Sequence, residues 1–332
     1  MTNNRMSVLE WDAATQLLNA ATKIIIVTHE RPDGDAMGSL IGLGHALREH
    51  GKDVTLAVDG GTPQGFRYLR GSENVLPRLQ NPQADLVISV DASDAVRPGK
   101  VGEIAFNLGK PIIVIDHHAT NTLFGAAHIV DSDFVSTTEA VLRWLDHMGW
   151  QPSLASAEAL MTGLITDTIS FQVGPVTADT FDLAKRLMAC GVDLRKIVEY
   201  TMRRTPSGML QFMGKGLMSA KLEDHVIWTV LTQADFAQFG FLEDEKPELS
   251  SEMMADEEAY ISALFTEVSN GDVRLSLRSK PGFDVGTVAF ALGGGGHVQA
   301  AGCTLKQTSV ADAVAKVIPL LKEAAKQGNL KY

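Results

Sequence analysis

The sequence predicts an α/β protein: an N-terminal parallel sheet flanked by helices, linked to a smaller α/β C-terminal domain, with an active site in the cleft between them. Short apolar, β-rich runs alternate with longer helical patterns as far as residue 190, which indicates a parallel sheet covered by helices. Three of those runs end in Asp or His. Beyond Leu217 the pattern changes to strand-like pieces, a hairpin and a closing helix. A length of 332 residues suits two domains.

Residues 7–21 read as an amphipathic helix packing through Val8, Trp11, Leu17 and Leu18. Lys23-Ile24-Ile25-Ile26-Val27 reads as a buried strand, and 40–50 as a helix stopped by Gly51. The tight loop between them, residues 28–39, carries His29, Asp33 and Asp35. Pro32 disfavours helix just before Asp33, and Gly34 lets the backbone turn between the carboxylates. Taken alone, this is a common Asp-Gly turn beside an incidental His. Recurrence changes its meaning. The strand over 85–90 ends in Asp91, and the strand over 111–115 ends in Asp116-His117-His118. Open α/β sheets bind ligands beyond the carboxyl ends of their strands. Asp167 follows a further apolar segment.

A strand over 53–58 leads to a turn at Gly60, Gly61 and Pro63, and 66–69 is short and apolar. Helices are expected over 137–148, 153–164 and 177–190. Residues 193–215 read as a linker whose Arg203 and Arg204 lie on a solvated face. This gives domains at 1–192 and 216–332.

In the second domain, 221–232 holds two strand-like pieces around Glu223-Asp224-His225, and 243–248 is an acidic exposed loop. Residues 260–268 and 272–279 form a hairpin around Asn270-Gly271. Residues 284–292 and 310–326 are helical. Four successive glycines, Gly293, Gly294, Gly295 and Gly296, precede His297. Such a run carries a heavy entropy cost and requires another group close to the main chain. The residues after it are expected to open a helix whose amides meet an anion. Arg278, in Ser276-Leu277-Arg278-Ser279-Lys280, is placed to clamp a phosphate or stack on a base.

The formal net charge of -11 argues against nonspecific binding of long duplex nucleic acid. Cys190 and Cys303, far apart in sequence, read as reduced thiols. No signal-peptide plan or membrane-spanning run is visible, so the expected location is the cytoplasm.

His29-x-x-x-Asp33-Gly34-Asp35-Ala36, Asp91, Asp116-His117-His118, Asp167 and the glycine block with His297 occur in the order of the DHH phosphoesterase superfamily. The chain resembles its branch with a DHH-associated C-terminal domain, most closely the nanoRNase group. The resemblance implies hydrolysis of short oligoribonucleotides and of adenosine 3′,5′-bisphosphate (pAp). It implies two divalent cations, one on His29, Asp33 and Asp91 and the other on Asp35, Asp91, His117 and Asp167. Four Asp and two His make an oxygen-rich set suited to Mn²⁺, with Mg²⁺ as second choice, and too rich in carboxylate for structural zinc. Asp116 would orient a His by accepting its N–H. His118 would contact the scissile phosphate or protonate the leaving oxygen. Arg278, Gly293, Gly294, Gly295, Gly296 and His297 would hold the nucleotide.

The chain departs from the family pattern at Ile169, where many relatives carry glycine, and at Gly174-Pro175-Val176-Thr177, which lacks an Asn-Thr pair. The alternatives are a cyclic dinucleotide phosphodiesterase, a pyrophosphatase or polyphosphatase, and an inactive nucleotide-binding regulator. The partners expected are short RNA or small nucleotides, with no membrane, and a homodimer is compatible with the sequence.

Overall fold

The computed structural model describes residues 6–243 and 247–330. The chain divides into two compact units between Arg204 and Thr205.

The first unit opens with β1 (Ser7–Leu9), α1 (Trp11–Ala20), β2 (Lys23–Val27) and α2 (Gly34–Glu49). Strands β3 (Asp53–Ala57), β4 (Val75–Leu76) and β5 (Leu86–Val90) follow, then α3 (Gly99–Phe106), β6 (Ile112–Asp116) and β7 (Ala127–Asp131). Helices α4 (Thr137–His147), α5 (Leu154–Asp167), α6 (Ala178–Ala189) and α7 (Leu194–Met202) complete it. The strand order is β1-β7-β6-β5-β2-β3-β4. All pairings from β7 to β4 are parallel, and β1 runs antiparallel to β7. The chain builds from β2 outward to β4, then restarts at β5 on the other side of β2. That reversal makes the carboxyl ends of β2 and β5 the switch point of the sheet. From Ile24 onward β2 is apolar and buried because both its faces are covered. Ile24 and Ile26 pack with Leu40, Leu43 and Leu160, while Ile25 and Val27 pack with Val101 and Ala105 of α3.

Two expectations change in this unit. The helix read over 7–21 begins only at Trp11, because Ser7 to Leu9 pair with Ile129 to Asp131 as an edge strand that holds Val8. Helix α2 begins at Gly34 rather than residue 40. The Asp33 carboxylate accepts the amides of Asp35 (3.1 Å) and Ala36 (3.0 Å) and so caps the helix. Small residues at 38 and 39 break the apolar spacing yet are buried, since α2 packs tightly on α5. A Cβ on Gly38 would stand 2.5 Å from the Ala159 carbonyl oxygen. Finally, β7 and α3 were not legible, β7 being interrupted by His128 and α3 by Gly102.

The span 193–215 contains α7 and most of α8 (Met209–Met218). The second unit continues with β8 (Lys221–Glu223), β9 (Val226–Leu231), α9 (Gln233–Phe239) and α10 (Leu249–Glu252). Next come β10 (Ile261–Glu267), β11 (Val273–Ser279), α11 (Gly286–Ala291), β12 (Gly295–His297), β13 (Ala300–Leu305) and α12 (Val310–Gln327). Its sheet order is β12-β13-β11-β10-β9-β8. The hairpin around Asn270-Gly271 is present as β10 and β11. Phe265, Leu275 and Leu277 pack against Val317 and Leu321 of α12. Leu264 faces the other way, into a cluster with Phe212 and Phe236.

The glycine block forms a β-hairpin, not a helix start. β12 pairs antiparallel with β13, so its amides serve the sheet. The close approach expected of these glycines is present: a Cβ on Gly294 would lie 2.2 Å from the Gly302 carbonyl oxygen. In the acidic loop, the Glu243 carboxylate accepts the Ser269 amide at 2.7 Å and the Gln233 side-chain amide at 2.8 Å. Residues 244–246 of that loop lie outside the described residues. No described helix is long and apolar enough to cross a membrane.

Candidate metal centre

Five elements deliver the cluster. His29 and Asp33 follow β2, Asp35 sits in the first turn of α2, Asp91 follows β5, and His117 and His118 follow β6. Asp167 is the last residue of α5. Asp91 leaves its strand at φ +55, a conformation that Asp tolerates better than most residues.

His29 donates from Nδ1 to its neighbour's carbonyl oxygen, Glu30 O, at 2.8 Å. That fixes the tautomer and leaves Nε2 unprotonated in the neutral ring, 3.5 Å from Asp91 Oδ2 and 3.9 Å from Asp33 Oδ1. His117 places Nδ1 3.3 Å from Phe134 O. Its Nε2 stands 3.5 Å from Asp167 Oδ2, 3.8 Å from Asp35 Oδ2 and 3.9 Å from Asp91 Oδ1. His29-Asp33-Asp91 and Asp35-His117-Asp167 each bring their ligand atoms within 4.8 Å of one another, as does Asp91-His117-His118. His118 donates from Nδ1 to Asp116 Oδ1 at 2.7 Å, and the Asn121 side-chain amide donates to the other Asp116 oxygen at 2.6 Å.

The electrostatics favour a bound cation. Burial, followed by repulsion from Asp91, Asp167 and Asp33, drives the Asp35 carboxyl well above its usual range. Burial also lifts Asp167, to about 6, and His117 only partly offsets it. Asp91 is buried too, but its bond to His29 and the nearby His117 and His118 hold it down at about 2. The bond to Asp116 raises His118 to about 9, against the effect of burial. Carboxylates crowded this closely, with two imidazole nitrogens among them, fit a divalent cation that prefers oxygen ligands.

A pH dependence follows. An acid with a raised folded pKa loses folding stability as pH rises from its unfolded to its folded value. Without cations the fold therefore weakens as pH climbs from 3.8 through about 6 for Asp167, and further for Asp35. Saturating Mn²⁺ should raise the melting temperature more at about pH 7.5 than at about pH 5, because protons no longer compete and the repulsion is relieved. Calorimetry at both pH values checks this, and equal shifts would contradict it.

The sequence reading missed several supports. Thr137 donates its hydroxyl to Asp91 Oδ1 at 2.9 Å and its amide to Asp35 Oδ2 at 2.6 Å, and the Thr138 amide reaches Asp35 Oδ1 at 3.0 Å. The N-terminus of α4 thus receives the Asp35 carboxylate, as helix N-termini receive anions. Ser136 and Glu139, three residues apart, were the available signal for that helix start. Arg278 and Gly293 to Gly296 belong to the second unit. The Arg278 guanidinium donates to Leu277 O at 2.9 Å and lines a cavity of about 260 Å³ with Arg274, Ser276, Thr266 and Glu248. The His297 side chain lies outside the described residues.

An Asp/His cluster at the switch point of a parallel sheet suits metal-assisted hydrolysis of phosphate esters. The chain belongs to the DHH family: residues 23–164 match the DHH family N-terminal domain, and residues 230–327 match the DHHA1 domain. It is 31% identical over 306 residues to the bifunctional oligoribonuclease and PAP phosphatase NrnA of Thermus thermophilus, covering 90% of this chain and 89% of that protein. It is 26% identical to the cyclic-di-AMP phosphodiesterase GdpP of Geobacillus thermodenitrificans, over 91% of this chain but 47% of that one. The crystal structure of an exopolyphosphatase-related protein from Bacteroides fragilis superposes with a TM-score of 0.87 at 26% identity, covering 96% of each chain.

Proposed function

We propose that the chain hydrolyses phosphate esters of short oligoribonucleotides and of pAp, using two divalent cations, Mn²⁺ in preference to Mg²⁺. The observation that carries this reading is the double engagement of Asp91, which faces His29 through one oxygen and His117 through the other. His29, Asp33 and Asp91 would hold one cation, and Asp35, Asp91, His117 and Asp167 the other. Bound there, the cations supply positive charge to phosphoryl oxygens and lower the pKa of water. Asp116 holds the His118 ring by its Nδ1 proton and raises its pKa, which favours a protonated Nε2. Nε2 then donates to the phosphate or to the leaving oxygen.

Residues 1–192 are the catalytic domain in this reading, 193–215 the linker and 216–332 the substrate-binding domain. Arg278, the glycine hairpin and His297 hold the nucleoside portion of the substrate. Unpaired Cys190 and Cys303 suit a reducing compartment, and we place the protein in the cytoplasm.

Arg278→Ala is expected to raise KM for a dinucleotide or pAp on the order of ten- to a hundredfold, the worth of a charged hydrogen bond of roughly 1.5–3 kcal/mol. Bis-(p-nitrophenyl) phosphate, which has no nucleoside, should be affected far less. Steady-state kinetics on both compounds decides it, and an equal loss would place Arg278 in the chemical step.

Cleavage of cyclic di-AMP is a second reading, supported by the GdpP likeness. Turnover of the Mn²⁺-loaded protein on a ribodinucleotide, pAp, cyclic di-AMP and pyrophosphate separates the two. The first two should be hydrolysed fastest. A clear preference for cyclic di-AMP would replace the proposal, and exclusive use of pyrophosphate would remove any nucleotide role.

A further inference from the structure

The chain leaves Asp167 through a turn that holds three successive residues in the left-handed region: Ile169 (φ +46), Ser170 (φ +56) and Phe171 (φ +66). None is glycine, and a β-branched side chain is the least suited of all to that conformation. The surrounding hydrogen bonds impose the turn. The Ser170 amide donates to Ile165 O at 2.8 Å, the Gln172 amide to Thr168 O at 2.8 Å, and the Phe171 amide to Thr168 Oγ1 at 2.9 Å.

Two of the three side chains have evident partners. Ser170 donates to the Met202 sulfur at 3.2 Å, and Phe171 packs on the main core and on Phe181 at 4.9 Å between ring centroids. Ile169 differs. Its side chain is 51% exposed, so it adds little to the core while straining the backbone. Glycine would satisfy the same turn without strain. The position lies two residues from Asp167, whose carboxylate is 3.5 Å from His117 Nε2. Val173 is likewise apolar and 44% exposed. Strained positions of this kind cluster where side chains meet a ligand.

We infer that Ile169 contacts the substrate: its side chain forms an apolar wall against which the nucleobase beside the scissile phosphate packs, and so sets preference for nucleosidic esters. Apolar side chains commonly line one face of a bound base. The inference rests on the proposed activity toward nucleotides and adds the residue that reads the base.

The test compares the parent with Ile169→Gly and Ile169→Ala. Steady-state kinetics are run on pAp and on ribose 3′,5′-bisphosphate, which keeps both phosphates and lacks the base. The parent's preference for pAp, as a ratio of kcat/KM values, should fall roughly three- to tenfold in both variants, the scale expected for burying part of one aliphatic side chain. The fall should lie mainly in the KM for pAp. Melting temperature supplies a second readout. Ile169→Gly, relieved of strain, should melt about 2–4 °C above the parent, and Ile169→Ala should gain less.

An unchanged preference in both variants of an active parent would overturn this inference alone. An equal loss on both compounds would do the same, because Ile169 would then act by positioning Asp167. A parent inert on pAp and dinucleotides would overturn the proposed function and this inference with it. A Gly variant no more stable than the parent would remove the strain premise and overturn it as well.

Discussion

Asp91→Ala is expected to lower turnover on every substrate by on the order of 10³-fold, the scale of removing a principal electrostatic group from a transition state. Asp91 is 2% exposed and faces both His29 and His117. It also accepts the Thr137 hydroxyl, which ties it to the helix that receives Asp35. Asp116→Asn is the comparison. Asp116 touches His118 and Asn121, and loss of such a supporting carboxylate typically costs ~10–100-fold. Turnover and metal content measured together separate the two roles. Asp91→Ala should lose bound metal, whereas Asp116→Asn should keep it. An Asp91→Ala protein with full metal content would refute the shared-carboxylate assignment.

Removal of metal is expected to abolish hydrolysis altogether. Asp35 and Asp167 are both pushed toward the neutral form by burial and by repulsion from neighbouring carboxylates, a repulsion that a bound cation would relieve. Dialysis against a chelator followed by Mn²⁺, Mg²⁺ or Zn²⁺ should restore activity best with Mn²⁺. The reason is a ligand set of four Asp and two His, which favours a cation that accepts many oxygens. Full activity in stripped protein would exclude the metal reading.

The clustered residues were legible as candidates because most of them sit at the end of an apolar strand or helix, where the local pattern stops abruptly. His29 follows β2, Asp91 follows β5, and His117 and His118 follow β6. Hairpin residues 260–279 were legible for a similar reason, since Asn270-Gly271 separates two β-rich runs. What escaped depends on contacts distant in sequence. Gly38 and Ser39 look like loop residues until α5 is placed against α2, where only small side chains fit. Ser7 to Leu9 become a strand only because β7 offers an edge. Thr137 and Thr138 meet Asp35 across a separation of about a hundred residues, which no local pattern encodes. The glycine block signalled close backbone approach correctly, but the approaching chain is β13 and the product a hairpin.

The most direct test of the two-cation centre is a titration of metal-free protein with Mn²⁺, followed by calorimetry and by turnover of a ribodinucleotide in the same samples. Binding should saturate at two ions per chain, with turnover appearing only as the second site fills, and Asp91→Ala should bind at most one ion tightly. Full turnover at a single bound ion per chain, or saturable binding of two ions that leaves turnover unchanged, would contradict it.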